Sequence, residues 1–239
     1  MYSRTTEAPV LLLGAAHVVD LERPLRAILE HRVLDGVAVE LDRERASALL
    51  HPDPGAPRNS NGLPFVTRLW GALQRRLGEE IGGGEAGAEM KVAATVAEER
   101  HLPLFLIDDP IRATVLRLIQ TMPFKERVQL LVGALAAFLI PTRLIQREVD
   151  RYAESPEEYT TALRQASPTV ARVLLDERNE HMADRLVALR VQGYGRIAAV
   201  VGDAHLPGLA AALGRRGVAV ETIPFSQLRD VTGPRPTPL

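Results

Sequence analysis

The 239-residue chain contains no cysteine. That absence excludes disulfides, thiolate metal sites and a cysteine nucleophile, and it fits a reducing compartment, so a cytoplasmic location is expected. An excess of one charge is missing too. Twenty-nine Lys and Arg stand against 30 Asp and Glu, a net charge of −1, so no basic field marks the chain as a nucleic-acid binder. Long apolar runs are absent: the longest uncharged one, Leu130 to Pro141, is about a dozen residues, short of the roughly 18 that span a bilayer. It reads as a buried core helix, and no membrane span is expected. Met1 to Pro9 lacks a basic region, and the apolar run after it is too short for a signal peptide. Neither Gly-x-Ser-x-Gly nor His-Glu-x-x-His occurs. Gly82-Gly83-Gly84 follows a helical pattern and lacks the lysine and hydroxyl of a phosphate loop.

What is present is a repeated strand-to-histidine unit. Ile197 to Val201 is a short β-branched, uncharged run that reads as a buried strand, and Gly202-Asp203-Ala204-His205 follows it. Pro207 suits the first turn of a helix. Near the other end, Val10 to Leu13 leads into Gly14-Ala15-Ala16-His17. If both strands lie parallel in one sheet, both histidines leave it at the carboxyl edge, where open α/β sheets bind ligands. Two imidazoles converging there point to a metal. The glycines, Gly14 and Gly202, permit close backbone approach and are candidates for substrate contact.

The remaining pattern is α/β. Helix is predicted for Leu21–His31, strand for Val37–Val39, helix for Asp42–Leu50 and for Glu89–Arg100, and strand for Leu104–Ile107. Residues 111–193 read as almost wholly helical, divided by Pro123, Pro141, Pro156 and Pro168, before the fourth strand and a fifth at Val218–Ile223. The expected architecture is one domain over residues 1–230, with a central largely parallel or mixed sheet and a large helical segment. Residues 51–90 form an excursion containing an amphipathic helix at 65–81, a candidate homodimer contact. A proline-rich tail, 231–239, is expected to be disordered.

Glu40 follows the second strand and is the natural third ligand beside His17 and His205: two imidazoles and a carboxylate hold a divalent ion and leave positions for water and substrate. A carboxylate there also suits capping of the next helix. Asp108 and Asp109 end the third strand at the same edge, and one of them is expected to cap the helix at Ile111. Arg45, Arg112 and Arg117 sit on helices near that edge, where an arginine can bind a carboxylate or polarise a carbonyl. Glu177 and His181, one helical turn apart, share a face, as a second metal pair or as part of a charged helix surface.

Taken in order, Gly14-Ala-Ala-His17, Val39-Glu40-Leu41-x-x-x-Arg45, Glu89-Met90-Lys91-x-Ala93 and Leu106-Ile107-Asp108 resemble blocks of the TraB/PrgY family. So do Ile111-x-x-Thr114-x-x-Arg117, Glu177-Arg178-x-x-x-Met182-Ala183 and Val200-Val201-Gly202-x-x-His205-x-x-Gly208. That family is similar to the Tiki-type metalloproteases and to an erythromycin-esterase-like superfamily. The resemblance implies a divalent metal at His17, Glu40 and His205, with Arg45, Asp108, Arg117, Glu177 and Arg178 around it, and peptide hydrolysis as the activity. Asp109 departs from the pattern, since the family usually has arginine there. The membrane region of longer members is also missing, so a stand-alone soluble version of the domain is expected.

The expected function is therefore a metal-dependent hydrolase acting on peptides. Manganese is the expected ion, given nitrogen and oxygen donors without sulfur, with cobalt, zinc or iron as substitutes. Glu177 or Asp108 would act as general base and Arg178 or Arg45 as oxyanion donor. The alternative is a protein that sequesters a peptide or small ligand without turnover. The resemblance allows it, because PrgY-like members are associated with limiting peptide pheromone activity, and the aspartate at 109 favours it.

Overall fold

A computed structural model describes residues 8–15, 21–51, 87–137 and 156–230. His17, the 65–81 helix with most of the 51–90 excursion, and the 231–239 tail lie outside the described residues.

Five strands form one sheet: β1 (Val10–Ala15), β2 (Gly36–Val39), β3 (Leu104–Leu106), β4 (Ile197–Gly202) and β5 (Val220–Ile223). Their order is β3-β2-β4-β1-β5, and every pairing is parallel. The sheet read from the sequence as largely parallel or mixed is thus wholly parallel among the described strands. β1 and β4 are neighbours in register, with Gly14 opposite Val201 and Ala15 opposite Gly202. The two ends of the chain therefore lie side by side at the centre of the sheet.

Alternation along the strands divides the core into two layers. Leu11, Leu13, Val37, Val39, Ala198 and Val200 face one way. There they meet α1 (Glu22–His31), α3 (Ala88–Glu99) and α10 (Phe225–Asp230), through Leu25, Leu29, Ala93, Val96, Phe225 and Leu228. Val10, Leu12, Ala38, Ala199 and Val201 face the other way, onto Met182, Ala183, Leu186, Leu209 and Leu213. Those belong to α8 (Glu177–Val191) and α9 (Leu206–Arg215). With both faces covered, the central strands β1, β2 and β4 need to be apolar throughout, as they are, whereas the edge strand β5 carries Glu221 and Thr222.

The helices between Ile111 and Val191 begin where the prolines place them: α4 (Ile111–Thr121), α5 (Phe124–Ala137), α6 (Pro156–Ala166) and α7 (Pro168–Ala171). Glu126 of α5 ties down the start of α7 by accepting from the Thr169 backbone N–H at 3.1 Å and its hydroxyl at 2.9 Å. Between α7 and α8 lies a π turn, Arg172–Asp176, which residue spacing did not reveal. Among the described residues no helix is long and apolar enough to cross a membrane.

Two other details differ from expectation. β5 starts at Val220, not Val218, because the Val218 N–H closes the end of α9 on the Leu213 carbonyl at 3.1 Å. Gly217, at φ 73°, makes that turn. The helix α10 was not anticipated. It is anchored by the fully buried Phe225, whose N–H donates to Asp203 Oδ1 at 2.7 Å.

Candidate functional site

The carboxyl ends of β1, β2, β3 and β4 meet at one rim. Glu40 follows β2 directly, and its backbone N–H still bonds to the Val200 carbonyl at 3.1 Å, as a ladder residue would. Its side chain turns toward β4. Oε2 accepts from the Gly202 N–H at 2.6 Å, and Oε1 lies 3.4 Å from His205 Nε2. Capping of the next helix, the other role open to Glu40, falls instead to Asp42. Asp42 Oδ1 accepts from the N–H groups of Glu44 and Arg45 at 2.8 and 2.9 Å, at the start of α2 (Arg43–Leu50).

Asp42 also takes the role expected of Asp108 or Asp109. Its Oδ2 accepts the Ile111 N–H at 3.1 Å, so one aspartate caps both α2 and α4. This leaves Asp108 free to reach inward.

His205, 4% exposed, ends a short 3-10 turn, Asp203–His205, between β4 and α9. Its Nδ1 meets Asn179 Oδ1 at 2.8 Å. An amide oxygen only accepts, so Nδ1 carries the proton. Nε2 faces Arg178 Nη1 at 3.1 Å and Glu40. The neutral ring accepts from Arg178; the protonated ring pairs with Glu40. Gly208, at the end of the Gly202-x-x-His205-x-x-Gly208 block, lets Asn179 approach, since a Cβ there would collide with the Asn179 amide.

Arg178 joins the cluster. Its Nε donates to Asp108 Oδ1 at 3.0 Å and its Nη2 to Asp108 Oδ2 at 2.6 Å, a two-pronged pairing. Nη2 also bonds Glu40 Oε1, and Nη1 reaches the Leu174 carbonyl at 3.1 Å. Arg45 adds a second cation to Asp108 Oδ2 and is itself held by Asp42 at 2.7 Å. The Asp108 side chain has no exposed surface. Burial alone pushes the Glu40 carboxyl upward. The neighbouring His205 ring, Arg178 and the Gly202 N–H outweigh it and hold Glu40 well below the usual carboxylate range. For Arg178, burial opposes the charge, but Glu40 and Asp108 more than compensate and keep the guanidinium ionised.

A second polar group lies outside the first. Glu177 is bracketed by Arg117, at 2.9 Å, and Arg172. The Arg172–Glu177 pair spans five residues, the spacing set by the π turn. His181 faces Asp109 at 3.2 Å, not Glu177. Arg112 pairs with Glu44 on the exposed surface.

Of the residues expected at the site, the structure brings Glu40, Arg45, Asp108, Arg178 and His205 into one bonded cluster, with Arg117 and Glu177 beside it. Gly14 and Gly202 are at the rim but face protein partners. A Cβ on Gly14 would collide with Asp203 and Leu206, and the Gly202 N–H is occupied by Glu40. His17 lies outside the described residues, two positions past Ala15. Asn179 was missed, and Asp42 was read only as the acidic start of its helix. A signal for Asn179 was available: asparagine is a poor helix former, yet it stands inside the helical run beside Arg178.

As donors for a cation, Glu40 and His205 fit in type and spacing, but Arg178 engages both of the atoms concerned. Two donors about 2.1 Å from one ion, at a tetrahedral angle, stand about 3.4 Å apart, and Nε2 to Oε1 is 3.4 Å. The Nδ1 proton on Asn179 is the outer hydrogen bond that orients a ligating imidazole. Among the described residues no three His, Cys, Asp or Glu side chains form a metal-holding group, so this fit rests on two.

These features define a class: a three-layer α/β protein with a parallel sheet whose carboxyl rim carries a carboxylate–imidazole pair closed by a buried arginine. The chain belongs to the TraB/PrgY/gumN family, whose model matches residues 3–222. It is also 31% identical over 217 residues to a protein of Methanocaldococcus jannaschii described only as uncharacterized; the match takes in 87% of this chain and 54% of that one. The chain thus spans about half the length of the curated relative it matches.

Proposed function

We propose that the protein is a metal-dependent hydrolase acting on peptides, as its resemblance to Tiki-type metalloproteases suggests. Glu40 and His205 hold a divalent ion, manganese by preference, with His17 as third donor. The observation that carries this reading is the 3.4 Å approach of Glu40 to a His205 ring whose other nitrogen is fixed by Asn179. A divalent ion bound there lowers the pKa of a water ligand and polarises a carbonyl.

The protein's own groups then position the reactants. Arg178 and Arg45 supply positive charge where an oxyanion develops. Asp108 has both oxygens engaged by arginines, and so does Glu177. That arrangement suits holding cations in place better than accepting a proton.

The second reading, a peptide or small-ligand binder without turnover, is favoured by one contact. Arg178 Nη1 lies 3.1 Å from His205 Nε2, so a guanidinium already engages the lone pair that a cation would take.

Metal analysis of the purified protein, followed by peptide cleavage with and without chelator, separates the two. The hydrolase binds a divalent ion that is lost in Glu40→Gln and in His205→Ala, and its cleavage disappears in both variants, in His17→Ala and under chelator. Peptide binding without cleavage under manganese, cobalt, zinc or iron would establish the binder instead.

A further inference from the structure

We propose that His181, which stands beside Asp109, is the proton-transferring group of this site; the inference rests on the hydrolase reading above. The loop after β3 and the first turns of α8 are bridged twice. Asp108 binds Arg178 deep in the rim. The next residue, Asp109, lies 3.2 Å from His181, three positions further along α8 and on an adjoining patch of that helix. Asp109 is not adrift, because its backbone N–H donates to Asp108 Oδ1 at 2.8 Å. The buried pair therefore sets the position of the outer one.

The two histidines differ in what they can do. His205 is enclosed, and both its nitrogens face protein groups. The His181 side chain is 35% exposed. Asp109 Oδ1 stands 3.2 Å from its Nδ1, and among the described residues Nε2 has no hydrogen-bond partner. A carboxylate on one nitrogen and an open second nitrogen is the arrangement that lets an imidazole relay a proton. The other rim carboxylates, Asp108 and Glu177, are committed to arginines. The charged groups around His181 are Asp109 across the gap, Arg117 of α4 acting on Asp109, and Glu177, Arg178, Asp184 and Arg185 within one turn on α8 itself.

The step is hydrolysis of an acyl–nitrogen bond. As the water oxygen bonds to the acyl carbon, its proton passes to His181 Nε2. As the carbon–nitrogen bond breaks, His181 returns that proton to the departing nitrogen. The products are a carboxylic acid and an amine, and no other reactant is consumed. His181 is thus a catalytic residue, and Asp109 is a positioning residue acting through it.

The test uses the manganese-loaded full chain and a fluorescence-quenched peptide library. His181→Gln should lose about 10²-fold or more in kcat with little change in KM, and free imidazole in the buffer should restore part of the rate. Asp109→Asn should lose less, and the double variant no more than His181→Gln alone. Carbethoxylation of the wild type, mapped by mass spectrometry, gives a readout independent of variants: modification of His181 and loss of activity should run in parallel. Cleavage by His181→Gln within about threefold of wild type, or activity surviving full modification of His181, overturns this inference and leaves the hydrolase reading intact. A wild type that cleaves no peptide overturns both.

Discussion

Replacing Arg178 by methionine tests the electrostatic account of the rim most directly. Methionine keeps much of the side chain's length and its helix propensity, so what is lost is the guanidinium. Two carboxylates lose a partner: Asp108, with no exposed side-chain surface, and Glu40, 7% exposed. Removing one member of a buried ion pair costs about 3–5 kcal/mol, because the remaining charge stays uncompensated. The cost is not doubled here. Asp108 keeps Arg45, and Glu40 keeps the Gly202 N–H. For a chain of this size about 1 kcal/mol moves the melting temperature by about 2–4 °C. The variant should therefore melt about 6–20 °C lower. The measurement is thermal and urea unfolding at neutral pH with chelator present, so that ion binding does not enter. Adding Glu40→Gln to Arg178→Met should recover part of the loss, since the second change removes a charge the first one stranded. A single variant within about 1 kcal/mol of wild type would refute the reasoning, as would a double variant less stable than the single one.

Two further outcomes follow from other parts of the molecule. Gly208→Ala should destabilise by about 1–3 kcal/mol in unfolding experiments, because the new methyl displaces Asn179 and with it the His205 ring; the ion content of the purified variant should fall in parallel. Asp35 accepts from the Arg196 backbone N–H at 2.8 Å and from its Nε at 3.1 Å, joining the start of β2 to the start of β4. The Arg196 hydrogen bond holds the Asp35 carboxyl below its ordinary 3.8. A lowered carboxyl stabilises the fold above its unfolded value, and that stabilisation is lost as the pH falls through the folded one. Asp35→Asn should therefore melt slightly below wild type at pH 7 and converge with it on acidification below 3.8; the effect is small because the pair is exposed.

The sheet was legible because buried parallel strands must be apolar on both faces, and short apolar runs followed by Gly, Glu or Asp mark β1 to β4, whereas the half-polar edge strand β5 was placed two residues early. The helix starts were legible for a similar reason, since proline leaves few choices. What could not be read were contacts between distant segments. Asp42 and Ile111 are 69 residues apart, and Asp108 or Asp109, immediately before Ile111, was the natural cap on local grounds. Only the approach of the start of α2 to the start of α4 hands the task to Asp42. One partner of Glu177 was hidden by the π turn, because residue spacing assumes four-residue steps and this turn pairs Arg172 with Glu177 across five. Arg178 was named through family resemblance. Nothing in its local sequence shows that it closes a pair formed by residues 40 and 205.

That closure bears on why the rim is built from charges at all. A buried ion pair is often no more stable than apolar residues of the same volume, so stability alone does not account for Arg178, Asp108, Glu40 and Arg45. Their geometry is more informative. Each carboxylate is held by at least two donors, and those donors come from different segments: Gly202 from β4, Arg45 from α2 and Arg178 from α8. Such cross-bracing fixes side-chain positions at the end of the sheet, where strand order places β4 between β1 and β2 and where open α/β sheets generally bind ligands. Fixed charge in a fixed position lowers the reorganisation needed when charge develops on a bound reactant. On the hydrolase reading proposed above, the buried polar cluster at that edge of the fold serves a bound reactant, which is a role that stability alone does not supply.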